Sequence, residues 1–370
     1  MPFRGKCAFA ALPRGRQRRK SAMPRNFPGL PAGKAHTQGL CALCLGDMAA
    51  NEGPEAPEGE CPGLGPGAAA CGAPPAPGML ADLHAHSTAS DGELSPSDLA
   101  RAARKRGLCA FALTDHDTLG GIAEAGREAK ALGMGFVPGI EIGISWSGGA
   151  KVSGLGPGGE MHLLGLGLRS PTPAFLGAIA ELSRRREARN REILCRMREL
   201  GIEAEWGEVL ALSGGHSVGR PHFAELLVRK KIVRNQEQAF ARYLNAGKPL
   251  YAPKAGLPFD EAAALIRESG GIPVLAHPMS LFVAWGRLPD LIKALKDRGL
   301  MGLEAWHPIA KPKSCRRLEE LAGELGLFAT EGSDFHGSAW PSRRLGYSGK
   351  GREISASIFD GGLRELLGLG

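Results

Sequence analysis

The chain has 370 residues, of which 43% are hydrophobic and 23% charged, with a formal charge of +8. That is enough apolar content for one large domain or two smaller ones, and no apolar run is long enough to make a transmembrane helix the expectation. Residues 1–46 hold nine Lys/Arg and no acid, and residues 47–60 then add five acids, so the rest is only mildly basic and its charge alone does not argue for nucleic-acid binding.

Residues 1–78 read as a leader. Pro or Gly fills 25 of its 78 positions without a helical or strand period, a composition expected to be disordered. The Arg-rich, acid-free start is similar to a transit peptide, but an upstream start codon is the simpler reading, with the working protein beginning at or near Met79. Cys41-x-x-Cys44 beside His36 is half of a zinc motif; no second pair follows at a finger-like spacing, so a chance pairing is preferred. Cys109, Cys195 and Cys315 are read as reduced, mostly buried thiols of a cytoplasmic protein, and no signal peptide is seen.

From Met79 onward, strand-like runs occur at Met79–Leu83, Cys109–Leu113, Phe136–Ile140, Met161–Leu168, Ile272–Ala276, Gly302–Ala305 and Leu327–Thr330. Between many of them lie helical patterns. Ser95-Pro96-Ser97-Asp98 has an N-cap serine, a first-turn proline and an acid, and residues 120–132, 258–269, 288–298 and 312–325 also read as helices. The alternation predicts an α/β fold with a parallel sheet or barrel. Residues 174–250 break the rhythm and read as a helical insertion, so the expected organisation is leader 1–78, barrel 79–173, insertion 174–250 and barrel 251–370.

The polar residues at the strand ends carry the chemistry. His84 and His86 sit two apart in ADLHAHSTASDG, so both point to one side of an extended chain. Asp91 follows a turn marked by Gly92. His116 lies in TDHD, Glu141 in GIEI, His277 in AHP, and Asp334 and His336 in EGSDFHG. His162 is placed less clearly. In an α/β barrel the C-terminal strand ends form the catalytic face. One metal takes roughly four to six ligands, so this set suits two or three ions sharing a bridging carboxylate. Mixed imidazole and carboxylate donors suit zinc, manganese or iron. His36, His216 and His307 have no partner that the sequence names and are read as ordinary polar residues.

The motifs DLHAHSTASDG, TDHD, GIEI, HLLGLG, AHP and EGSDFHG, over residues 79 to about 350, resemble those of the PHP (polymerase and histidinol phosphatase) metal-dependent phosphoesterases. The resemblance extends to GRPHFAELL and to the subgroup with 3′,5′-nucleoside bisphosphate phosphatase and 5′→3′ exoribonuclease activity. It implies a distorted (β/α)7 barrel with a helical insertion as substrate cap. It implies one ion on His84, His86, Glu141 and Asp334, a second on Asp91, His116 and His336, and a third on His162 and His277 with Glu141 as bridge. Two or three divalent ions are expected, manganese first and iron or zinc as alternatives. The implied partner is a small phosphorylated nucleotide or an RNA 5′ end, without membrane or obligate protein partner. Phosphoester hydrolysis by metal-held hydroxide follows, needing no Ser or Cys nucleophile.

Asp115 and Asp117 flank His116; each either orients an imidazole or caps the turn. Arg184, Arg185, Arg186 and Arg189 share one predicted helix and Arg220-Pro221-His222 opens another. Arg184, Arg185, Arg220 and His222 are the candidate phosphate contacts, since guanidinium forks match phosphate, although a solvated face is the ordinary reading for any single arginine of the run. Asp91, Arg220 and His222 are the candidate catalytic residues, His222 either donating a proton to the leaving oxygen or binding phosphate. Two other readings stand beside this one: an amidohydrolase-type C–N hydrolase, and a non-catalytic PHP module that binds RNA.

Overall fold

The computed structural model describes residues 79–145, 160–213, 218–253, 256–360 and 362–369. The leader, with His36, Cys41 and Cys44, lies outside the described residues, as does His216.

The seven apolar runs become seven strands of one sheet in chain order: β1 (Leu80–Asp82), β2 (Leu108–Leu113), β3 (Gly135–Ile144), β4 (Met161–Leu166), β5 (Ile272–Leu275), β6 (Gly302–Trp306) and β7 (Phe328–Glu331). Their apolar continuity follows from burial on both faces. Pairing is parallel except on the two flanks of β4. Parallel neighbours need a crossover, and helices supply it: α1 (Pro96–Arg106) and α2 (Ile122–Ala131) in the first half, and later α8 (Leu288–Lys296) and α9 (Pro312–Leu325). Beyond β1 and β7 the chain pairs again. Ala85 bridges Phe335 in parallel, with His86 N donating to Phe335 O at 2.9 Å and Asp334 N to His84 O at 2.8 Å. First and last strands are thereby joined, as a barrel requires.

Local signals explain the helix ends. Ser95 Oγ accepts from Asp98 N at 3.1 Å, Pro96 opens α1, and Gly107 closes it with φ +90°, the left-handed position that favours glycine. Helix α3 (Pro173–Glu199) starts at Thr172, whose hydroxyl accepts from Phe175 N at 3.2 Å. With 27 residues it is about 40 Å long, and it joins two apolar clusters. Phe175 and Leu182 pack with the strand and helix residues around Ile140 and Leu163, whereas Ile193, Leu194 and Met197 pack with α4 (Trp206–Leu212), α5 (Arg220–Arg229) and the short α6 (Gln236–Ala239) around Phe223 and Leu227. The chain returns to the sheet through α7 (Phe259–Glu268), and the last helix is α10 (Leu363–Leu366). Small residues in or just past the strands, Ala81, Ala110, Ala112 and Ala276, cluster with Phe359, Leu363 and Leu367 of the C-terminal segment.

Two features of the strands position the site. Strand β3 changes partner: Gly135–Pro138 pair with β2, and Gly139–Ile144 pair with β4. Glu141 therefore lies inside a strand longer than the Phe136–Ile140 read from sequence. Strand β4 runs against its neighbours, so His162 sits at its start, not its end. That start lies on the same side as the C-terminal ends of β3 and β5, because Gly143 pairs with His162 and Leu275 with Leu163.

Candidate metal centre

All nine sequence-predicted ligands meet at one end of the sheet. His84 and His86 follow β1 and are 0% exposed. Asp91 hangs on the next loop, which Asp115 fixes: Oδ1 accepts from Ser87 N at 2.8 Å and Ser90 Oγ at 2.6 Å, and Oδ2 accepts from Ser87 Oγ at 2.6 Å. Asp117, at φ +52°, accepts from Gly143 N at 2.9 Å and pairs with Arg186. Of the two roles considered for these aspartates, the observed bonds are those of loop and turn fixation.

The ligand atoms converge closely. Nε2 of His84 and Nε2 of His86 are 3.1 Å apart, and each is 3.3 Å from Glu141 Oε2. Asp334 Oδ1 lies 3.5 and 3.3 Å from the same nitrogens. Asp91 reaches His336 Nε2 at 3.4 Å and His116 Nε2 at 3.9 Å. Glu141 Oε1 lies 2.7 Å from His162 Nδ1 and 2.9 Å from His277 Nε2, and Oε2 lies 3.0 Å from His116 Nδ1. Four groups have ligand atoms within 4.8 Å of one another, and three of them draw only on the nine: His84, His86, Glu141 and Asp334; His86, Asp91, His116 and His336; and His116, Glu141 and His162. The first matches the set implied by the resemblance; the other two gain His86 and His116, and His277 stands beside the third.

These residues fit divalent cations. His84 Nδ1 is bound to Glu304 Oε1 at 2.9 Å, so Nε2 turns a lone pair toward Glu141, Asp334 and His86, acceptor facing acceptor. Such a cluster is repulsive without positive charge at its centre. The electrostatics of the cluster point the same way. Burial lowers the His86 pKa, yet hydrogen bonds to Asp334 and Glu141 overcome this and raise it to about 9. Burial would raise the Glu141 carboxyl, but His116, His162 and His84 hold it well below the ordinary range.

Three residues that sequence reading did not assign complete the centre. Glu304, 1% exposed, is the one charge in the apolar run Gly302–Trp306, and that contrast was the available signal. His307 is not the unpartnered histidine expected. Its Nδ1 accepts from Ile309 N at 3.1 Å, so Nε2 carries the proton and donates to Asp334 Oδ2 at 3.1 Å. Arg343 Nη1 reaches the same oxygen at 2.7 Å.

The arginines of α3 divide. Arg184 and Arg185 lie 70% and 43% exposed and both pair with Glu181, which removes them from the centre. Further along the same helix, Arg186 pairs with Asp117, and Arg189 is 8% exposed with no hydrogen-bond partner for its Nε among the described residues. Burial, then the charges of Arg186 and Arg220, lower the Arg189 pKa to about 9. Arg220 pairs with Glu160, and His222 Nδ1 accepts from Gly219 N at 2.9 Å. Gly219 adjoins the centre, because a Cβ there would stand 3.9 Å from Asp91 Oδ2.

An α/β sheet joined end to end, with histidines and carboxylates converging at one rim, is the architecture of a metal-dependent hydrolase. The PHP domain family model matches residues 82–246. The chain is 33% identical over 260 residues to the 5′-3′ exoribonuclease Rnm of Salmonella typhimurium, covering 70% of this chain and 85% of that protein. It is 30% identical over 268 residues to the 3′,5′-nucleoside bisphosphate phosphatase of Chromobacterium violaceum, covering 72% and 90%. A solved structure described as a metal-dependent phosphoesterase from Bifidobacterium adolescentis superposes with TM-score 0.66 at 28% identity, covering 80% and 98%. The chain belongs to the PHP domain family and is a metal-dependent phosphoric ester hydrolase. Among the described residues no helix is long and apolar enough to cross a membrane.

Proposed function

We propose that the chain removes the 3′-phosphate from nucleoside 3′,5′-bisphosphates, or acts as the related 5′→3′ exoribonuclease on short RNA ends. The observation that carries this reading is the group Arg186, Arg189 and Arg220: the charges of Arg186 and Arg220 both act on the buried Arg189, and those of Arg186 and Asp91 act on His222. A phosphomonoester needs the metal ligands alone; a second phosphate needs a second cationic site. In this reading α3 to α6 form the substrate cap. Arg186 and Arg189 take the place that sequence reading gave to Arg184 and Arg185, and Arg220 and His222 keep theirs.

Divalent ions, for which we propose manganese, would be held by His84, His86, Glu141 and Asp334, by Asp91, His116 and His336 with His86, and by His162 and His277 with Glu141. When bound they polarise the phosphoryl group and acidify water. The residues of the chain do the rest. Arg220 and Arg189 bind and orient the 5′-side phosphate. His222 accepts the Gly219 N–H at Nδ1, so its remaining proton sits on Nε2. As water oxygen bonds to phosphorus and the P–O bond to the 3′ oxygen breaks, the Nε2–H group hydrogen-bonds the leaving oxygen and stabilises its developing charge, and the proton that oxygen finally carries comes from the attacking water.

The test is a manganese-supplemented panel of 3′,5′-bisphosphonucleoside, 5′-phosphorylated oligoribonucleotide, histidinol phosphate and p-nitrophenyl phosphate, with Arg220→Ala run beside the wild type. The variant should lose the doubly phosphorylated nucleotide more than p-nitrophenyl phosphate. Equal losses would sink the phosphate-site assignment, and turnover of histidinol phosphate alone would sink the substrate class.

A further inference from the structure

Glu304 touches none of the atoms where a substrate would react, yet it is fully buried beneath the ligands. A buried carboxylate costs several kcal/mol unless its oxygens are well used. Here each oxygen serves a different strand. Oε1 lies 2.9 Å from His84 Nδ1, past the end of β1, and Oε2 accepts from the backbone N of His277 at 2.6 Å, past the end of β5. His277 has φ +28°, a backbone conformation that a non-glycine residue holds only when its surroundings enforce it.

We propose that Glu304 is a positioning residue of the metal centre: one carboxylate sets the His84 proton and the His277 backbone together, so that both imidazoles offer their lone pairs inward. The chemistry leaves one arrangement. The His277 backbone group is a donor, and a carboxylate is an acceptor at both oxygens. His84 Nδ1 must then carry the proton, which strips Nε2 and aims it at Glu141, Asp334 and His86. His277 is fixed a second time by Ser280 Oγ at 2.7 Å from its Nδ1, which leaves Nε2 toward Glu141 Oε1. The fourth histidine–carboxylate group, His84 with Glu304 and His307, is on this account an orienting layer and not a further ion site. The proposal rests on the metal-centre reading above.

Glu304→Gln is the informative change because it is isosteric and supplies one acceptor where two are needed. The amide oxygen goes to the fixed His277 N–H, its NH2 faces His84 Nδ1, and the His84 proton is driven to Nε2, where a ligand lone pair is required. Outer-shell changes of this kind typically weaken metal affinity about 10–100-fold. Wild type and Glu304→Gln are titrated with Mn2+ by calorimetry, without substrate. The expected result is a drop in that range for one ion, with the other sites filling as in wild type. Wild-type affinity for every ion in the variant would overturn the proposal while leaving the metal centre intact; no Mn2+ bound by the wild type would overturn both. Should the variant not fold, 15N-histidine spectra of Zn2+-loaded wild type decide, with His84 assigned from His84→Gln. A proton on Nδ1 and metal on Nε2 supports the proposal, and the reverse overturns it.

Discussion

Arg343 and Asp334 meet at 2.7 Å, Nη1 to Oδ2, and the contact divides one carboxylate between two tasks. Oδ2 is taken by Arg343 and by His307, and Oδ1 is left for His84, His86 and His336. Asp334 is buried and held well below the ordinary carboxylate range: burial opposes this, and the Arg343 charge is the largest of the effects that bring it about. Arg343→Ala should leave folding intact and lower kcat/KM about tenfold, the scale of one charge-assisted hydrogen bond. Steady-state kinetics with thermal unfolding checks it; unaltered kinetics would show that His307 alone suffices.

Gly332 stands directly under the first ligand. A Cβ at this position would lie 2.3 Å from His84 Cβ and 2.6 Å from Glu304 Oε1. Gly332→Ala should therefore force apart the His84–Glu304 pair, at a cost of about 1–3 kcal/mol in stability and with loss of one bound ion. Metal analysis of the purified variant and its unfolding midpoint test this without an activity assay. A variant with wild-type metal content and stability refutes the packing account.

Glu331 carries a pH prediction. Burial pushes its carboxyl up, against the Arg352 charge, from 4.5 to about 7. Below pH 4.5 both folded and unfolded chains hold the proton and nothing is lost. As pH rises toward 7 the unfolded chain ionises first, so burial of this group destabilises the fold increasingly, levelling near 3 kcal/mol on the order-of-magnitude scale of linkage. Glu331→Gln should match wild type near pH 4.5 and unfold several degrees higher at pH 8. A pH-independent difference between the two melting curves would contradict this.

The arginines of α3 offer an internal control. Arg189→Ala should raise KM for a nucleoside bisphosphate about 10–100-fold, since a buried charge-assisted contact contributes roughly 1.5–3 kcal/mol. Arg184→Ala should change it less than twofold, because an exposed i,i+3 pair with Glu181 contributes at most a few tenths of a kcal/mol. Similar effects from both variants would remove Arg189 from the substrate site.

Removal of metal should register as lost stability. An ion present at about 100 times its dissociation constant adds about 2.7 kcal/mol, so chelation should lower the melting temperature by several degrees, and added Mn2+ should restore it. No response to chelator in a protein shown to carry metal would mean that the ions sit outside the folded core.

Much was written locally in the chain. The strands were legible because segments buried on both faces must be continuously apolar, and the start of α1 because Ser95 and Pro96 satisfy a helix end by themselves. The candidate ligands His84, His86, Asp334 and His336 were legible because short motifs at strand ends place them together. The β3–β4 reversal was not, since an antiparallel partner needs no crossover to announce it, and it is why His162, placed less clearly from sequence, sits at a strand start. The inward phase of Arg186 and Arg189 depends on how α3 packs through Phe175 and Ile193, so four arginines alike in sequence separate only in space.

The sequence by itself determined the element order and the family and named nine candidate ligands, because each rests on period, caps and motif spacing within a few residues. The tertiary structure alone decided how those ligands are grouped and held. Glu304 meets His84 across 220 positions and His307 meets Asp334 across 27, and a hydrogen bond between such distant residues exists only once sheet closure has set their separation and direction.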